Sequence, residues 1–312
     1  MGNYIIIDGG TTNTRVCFVS DGEVVFRVRK NVGAASGKAA VAEAVSEAIK
    51  ELREKSGKKS DSAKAIIASG MITSGNGLYE LPHLSAPCGI QELHDGMKKV
   101  FLGEISSLPF FFIPGIKKNG KTAEDADMMR GEESELFGLC DRTETSCAYI
   151  LPGSHSKCIL TDEKGKICDF LTFLTGEMIS SLMNGTILKN SISFCDADLK
   201  YLEKGFLHCS EYGLCETLFK VRVLDTLGKK SQSECFGYFL GAVLCGEIKR
   251  ILSFEAKKIV VGGKSELRGP EAYLLRKFSK DTIVEEVSDE ICENAAEIGA
   301  LRIFEYGKKD EI

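Results

Sequence analysis

The chain has 312 residues, 43% hydrophobic and 27% charged, with 32 Gly and 6 Pro, a composition that builds packed cores and excludes collagen-like or extended disordered chains. Its net charge is −5, and Lys and Arg are scattered singly or in twos, so no basic face is available to a nucleic acid. No apolar window approaches the roughly 18 residues of a membrane-spanning helix.

A prior of about 150 residues per domain predicts two domains. Residues 4–7 (Tyr-Ile-Ile-Ile) read as a strand ending at a Gly pair. Strands at 16–19 and 24–28 flank Asp21-Gly22, a hairpin signature. Residues 39–55 form an amphipathic helix, with Val41, Val45, Ile49 and Leu52 at helical spacing. A strand at 65–68 leads into a Gly/Ser/Asn-rich loop, and another at 110–113 stops at Pro114-Gly115. The stretch 117–127 is polar and 128–140 returns to a helical pattern, which places the domain boundary between 1–125 and 126–312. Downstream come a hairpin (148–173), a helix (176–189), a long apolar helix (232–252), a strand (258–261) and a closing helix (290–306). Alternating strands and helices of this kind predict a mixed α/β fold.

Twelve cysteines contain no C-x-x-C pair, and Cys17, Cys235 and Cys245 sit inside apolar runs. They read as reduced, buried thiols rather than zinc ligands. Met1-Gly2-Asn3 matches neither a signal peptide nor a myristoylation pattern, and the expectation is a cytoplasmic protein.

The opening hairpin has an echo. Ile7-Asp8-Gly9-Gly10-Thr11-Thr12-Asn13 is matched about half a chain later by Leu151-Pro152-Gly153-Ser154-His155-Ser156-Lys157. Each is a Gly/Thr/Ser loop between two strands, and the two loops are expected to meet across a cleft. Glycines let successive N–H groups converge on one anion and hydroxyls add donors, so both loops suit phosphate. Asp8 occurs only in the first copy, where one carboxylate beside a triphosphate suits Mg²⁺. Gly262-Gly263 follows a strand and could line an adenine. Gly263-Lys264-Ser265 is not a P-loop, because Lys258 stands where that motif requires glycine.

Phosphoryl transfer needs a base near the acceptor. The acidic stretch 124–133 offers Glu132 first and Glu133 second, against a bland reading as helix N-terminal acids. Met71, Thr73 and Ser74 form either a sugar-contacting loop or a plain one, and Glu177 either faces the site or follows an ordinary N-cap at Thr175.

At these residues the chain resembles the sugar kinase, Hsp70 and actin superfamily. More narrowly, Asp8-Gly9-Gly10-Thr11-Thr12-Asn13, Gly70-Met71, Met129-Arg130-Gly131-Glu132-Glu133, Pro152-Gly153-Ser154-His155 and Thr175-Gly176-Glu177 are similar to the 2-dehydro-3-deoxygalactonokinase family. The resemblance implies two RNase H-like (actin-like ATPase) domains flanking a nucleotide cleft. It also implies ATP-dependent phosphorylation of the terminal hydroxyl of 2-dehydro-3-deoxygalactonate, with Mg²⁺ as cofactor and Arg130 or Lys157 facing the sugar-acid carboxylate. A homodimer is left open. The alternatives are a kinase of the same fold acting on another sugar acid or small alcohol, and an actin-like ATPase that assembles or regulates without an acceptor.

Overall fold

In the computed structural model, which describes residues 2–139, 146–263 and 265–307, the opening hairpin runs through β1 (Tyr4–Gly9), β2 (Thr14–Ser20) and β3 (Glu23–Lys30). Asp21 (φ 52°) and Gly22 (φ 91°) make the β2–β3 turn in the left-handed region, as the Asp-Gly pair predicts. Next come α1 (Lys38–Lys55), β4 (Ile66–Gly70), β5 (Leu84–Ser85), α2 (Ile90–Gly96), β6 (Lys98–Phe101), β7 (Pro109–Phe112), β8 (Ile116–Lys118), β9 (Asp127–Met129) and α3 (Glu132–Leu139). Six strands form one sheet in the order β3-β2-β1-β4-β7-β6, and β5-β8-β9 form a small second one. One face of the large sheet packs Ile5, Ile7, Phe18, Ile66 and Phe110 against Val41, Val45 and Leu52 of α1. That is the stripe expected from helical spacing.

The echo then begins with β10 (Cys147–Leu151), β11 (Ser156–Thr161) and β12 (Ile167–Phe173). It continues through α4 (Thr175–Gly185), α5 (Leu199–Tyr212), α6 (Leu214–Thr226), α7 (Gln232–Leu252), β13 (Lys258–Val261), α8 (Ser265–Phe278) and β14 (Ile283–Glu286). The sheet order is β12-β11-β10-β13-β14. β1 pairs antiparallel with β2 and parallel with β4, and β10 does the same with β11 and β13. The repeat read in the sequence is thus a repeat of topology.

The last helix, α9 (Asp289–Phe304), returns to the first unit, so the chain divides as Met1–Thr145, Asp162–Asp169 and Ser288–Ile312 against Ser146–Thr161 and Phe170–Val287. These units do not follow the expected 125/126 boundary: β9 and α3 belong to the first. Phe304 stacks edge-on against Tyr4 (5.2 Å) and Phe111 (4.8 Å). Gly299 and Gly138 admit close crossing of α9 and α3, since a Cβ on Gly299 would lie 1.7 Å from the Ser134 carbonyl.

Three expected elements are corrected. The helix expected over 128–140 starts at Glu132, because Met129 pairs with Ile116 in β9 and Gly131 takes φ +116°. The helix expected over 176–189 ends at Gly185, followed by a 3₁₀ turn. The hairpin at 148–173 is three strands. Every cysteine among the described residues is a free thiol, and among those residues no helix is long and apolar enough to cross a membrane.

Candidate active site

In the first unit three glycines draw separate segments to one corner of the sheet. A Cβ on Gly9 would lie 2.7 Å from Ile72 Cβ. Gly70, at φ +81° and ending β4, would place a Cβ 2.5 Å from the Gly9 carbonyl, and Gly131 would place one 3.2 Å from Gly70 Cα. The phosphate-type loop, the 71–73 turn and the start of α3 are therefore in backbone contact, a proximity that larger residues forbid.

Loop 10–13 closes with the Gly10 N–H donating to the Asn13 carbonyl (2.8 Å), and the N–H groups of Ala34 and Ala35 donate to the Gly10 and Thr11 carbonyls (3.1 and 2.9 Å). Thr11 and Thr12 stay exposed, and the Asn13 amide donates to Thr12 Oγ1 (3.3 Å). Asp8 faces Arg15 across the β1–β2 pairing, and Arg15 Nη2 lies 2.7 Å from Asp8 Oδ2. Asp8 raises the Arg15 guanidinium above its ordinary range. Sequence reasoning missed Arg15.

Glu132 and Glu133 are treated differently. The buried Glu133 carboxylate accepts the Gly131 N–H at both oxygens (2.8 and 2.9 Å). Burial, then the nearby Glu132 charge, pushes it up to about 8. Glu132 is only partly buried and accepts the Arg130 N–H at Oε2 (3.0 Å). One turn on, Glu135 is pushed up to about 7 by burial, with Glu132 and Asp8 adding to the effect.

Arg130 is not a free cation. Its Nη1 donates to the Thr73 carbonyl (2.7 Å) and hydroxyl (2.6 Å), and its Nη2 donates to the Leu81 carbonyl (2.9 Å). His83, whose pKa burial and then Arg130 push down to about 4, lies 3.2 Å from Nη2. Arg130 therefore braces the 71–83 loop. Within that loop the Thr73 hydroxyl donates to the Gly70 carbonyl (3.0 Å) and the Ser74 hydroxyl to the Met71 carbonyl (2.7 Å).

In the second unit the corresponding loop is shorter than expected. Ser156 and Lys157 are the first, buried residues of β11. Lys157 Nζ donates to Thr172 Oγ1 (2.5 Å) on β12, so this ammonium is turned toward its own sheet. The loop proper holds Gly153, Ser154 and His155. It rests on α4, where a Cβ on Gly176 would lie 2.2 Å from the Gly153 carbonyl. The Glu177 N–H donates to the Ser154 carbonyl (3.1 Å), and the Glu177 carboxylate lies 3.1 Å from His155 Nε2. Glu177 thus partners His155, with both side chains well exposed. Gly262 N–H donates to the Ile150 carbonyl (2.8 Å). Gly263, at φ +70°, abuts Pro152, as Gly70 abuts Gly9 in the first unit. Lys264 lies outside the described residues. Arg268, also unread in the sequence, donates from Nη1 to the Gly263 carbonyl (3.2 Å).

A model of the 2-keto-3-deoxy-galactonokinase family matches residues 8–295. In sequence the chain is 24% identical over 202 residues to the probable 2-dehydro-3-deoxygalactonokinase DgoK1 of Rhizobium meliloti (strain 1021), and the match spans 62% of this chain and 61% of that relative. In structure it is similar to a Sinorhizobium meliloti protein assigned as a 2-dehydro-3-deoxygalactonokinase, with TM-score 0.78 and 19% identity over 97% of this chain and 98% of that one. It is also similar to the activator of 2-hydroxyisocaproyl-CoA dehydratase from Clostridium difficile, solved with bound ADPNP, with TM-score 0.53 and 13% identity over 99% of this chain and 97% of that one. At such identities these structures show the fold, a two-domain actin-like α/β architecture.

Proposed function

We infer that this chain, which belongs to the 2-keto-3-deoxy-galactonokinase family, transfers the γ-phosphoryl group of ATP to the terminal hydroxyl of 2-dehydro-3-deoxygalactonate. The observation that carries the reading is the glycine-mediated contact of Gly9, Gly70 and Gly131, which gathers the first phosphate-type loop, the 71–74 turn and Glu132 at one corner. Phosphoryl transfer requires those three functions together: phosphate grip, acceptor contact and a base.

Glu132 takes the base's role. Its neighbour Glu133 is spent on the Gly131 amide, whereas Glu132 is partly exposed and stands at the N-terminus of α3, whose dipole favours its charge. In this reading Glu132 orients the hydroxyl and accepts its proton. The partly exposed Ser74 faces the sugar, on a turn that the buried Thr73 holds through Arg130 and the Gly70 carbonyl. Within the first unit the exposed Thr11 and Thr12, with Asn13, grip phosphate from a loop that Gly10 closes; within the second, Ser154 and His155 do so from the loop that Gly153 opens, and Gly262 and Gly263 line the adenosine.

Asp8 fits Mg²⁺ brought in with the nucleotide. One carboxylate suffices for an ion that keeps waters and phosphate oxygens in its shell, and only Oδ2 of Asp8 is taken up by Arg15. Bound there, the ion would neutralise charge on the phosphate oxygens.

The test is ADP release by the purified protein with a panel of sugar acids, polyols and small alcohols. The expected result is turnover that needs an acceptor and is greatest with 2-dehydro-3-deoxygalactonate. Turnover independent of any acceptor would overturn the kinase reading. Preference for another acceptor would overturn the substrate.

A further inference from the structure

Beneath the second phosphate-type loop lies a pair of glutamates that the proposed chemistry does not use. Glu247 on α7 and Glu271 on α8 are buried, at 4% and 0% exposure. Glu247 Oε1 and both Glu271 oxygens have no hydrogen-bond partner among the described residues. Burying a carboxylate without partners is unfavourable, so a pair kept in a core calls for a reason. The fourth oxygen, Glu247 Oε2, accepts the hydroxyl of Thr175, the first residue of α4. Thr175 immediately precedes the two residues that carry the loop, Gly176 against the Gly153 carbonyl and Glu177 with its N–H on the Ser154 carbonyl.

We propose that Glu247, acting through the Thr175 hydroxyl, is a positioning residue for the loop 153–155, fixing the first turn of α4 on which that loop rests. The contact is directional, and bonds to charged or partly charged acceptors are stronger than neutral ones. Burial raises both carboxyls above their ordinary range, and Glu247 adds to the rise at Glu271. The effect on ATP rests on the kinase reading; the effect on the loop does not.

The experiment compares the full-length protein with T175V, T175S and E247Q by steady-state kinetics in ATP and by amide hydrogen exchange over residues 153–156 and 176–178. T175V keeps the side chain's shape and loses the hydroxyl. It is expected to raise KM for ATP about tenfold while kcat changes less than about threefold, and to speed exchange in both segments. T175S restores the donor and is expected to match the original protein. E247Q retains a carbonyl acceptor and is expected to stay within about threefold of it in KM. T175V with unchanged exchange and unchanged KM overturns the proposal, and so does a lowered Tm with neither change. If the unaltered protein shows no turnover of ATP, the kinase reading fails, and exchange in T175V against T175S still decides the positioning.

Discussion

Glu132 and Glu133 are neighbours in sequence with opposite surroundings, and the difference shows how little residue type says about role. Both were legible as candidate acids. The double hydrogen bond from the Gly131 amide to Glu133 was not, because it depends on a backbone turn that sequence pattern does not specify. Glu132→Gln is expected to lower kcat at least about a hundredfold, the scale of a lost general base, with Tm nearly unchanged; both are read from ADP release and thermal melts. Asp8→Asn should also reduce kcat, with the deficit partly relieved by raised Mg²⁺, whereas the loss in Glu132→Gln should ignore Mg²⁺. Arg130 and Lys157 were read as two candidates for the substrate carboxylate, and the hydrogen bonds of Arg130 to Thr73 and Leu81 tie its guanidinium to the 71–83 loop. Arg130→Lys removes a planar fork that one ammonium cannot replace. The expected result is a KM for the sugar acid several-fold higher and a Tm lower by several degrees. Arg15 was readable in principle: a four-residue loop after Gly9 places residue 15 opposite residue 8 in hairpin register.

At the scale of elements, hairpins and strongly periodic helices were legible and marginal ones were not. The β2–β3 turn followed from Asp21-Gly22, and α7 from its apolar run, which the structure starts with a capping box at Ser231 and Glu234. The edge strands β6 and β14 are short and largely exposed, so they carry no clean alternation of apolar residues. Helices α5 and α6 also escaped notice; α6 is broken from α5 at Gly213 (φ +82°). The start of α3 was misjudged because a glycine inside an apparently helical pattern proved to be the turn before it. Gly176 offers a direct test of element packing. Gly176→Ala would drive a methyl into the Gly153 carbonyl 2.2 Å away, so the loop must move off α4. The expected cost is about 1–3 kcal/mol of stability together with weaker ATP binding, measured by denaturant melts and nucleotide titration.

For the whole molecule, buried glutamates in both units (Glu133 and Glu135 in the first, Glu247 and Glu271 in the second) link stability to pH in the same direction. Glu133 is raised to about 8 and Glu247 to about 7 from 4.5. Folded, each holds its proton where the unfolded chain has released it. Their contribution is full below pH 4.5 and is lost as pH rises through about 7 and then about 8. Tm should therefore fall from about pH 4.5 to about pH 8, and the double variant E133Q/E247Q should make that fall shallower. An unchanged slope in the double variant would assign it to other groups. The paired topology was legible as a repeated motif. The unit boundaries were not, because they depend on where α9 packs, and its apolar residues do not specify which sheet they will cover.

The route of α9 sets an order on biosynthesis. Residues 146–161 and 170–287 make up the second unit and leave the ribosome before Ser288–Ile312, which the first unit also requires. Until that final segment emerges, Tyr4 and Phe111 lack the Phe304 ring that covers them, and Arg27 lacks Glu293 and Glu297. The first unit can therefore be completed only after every residue of the second has been translated, once α9 is available to it.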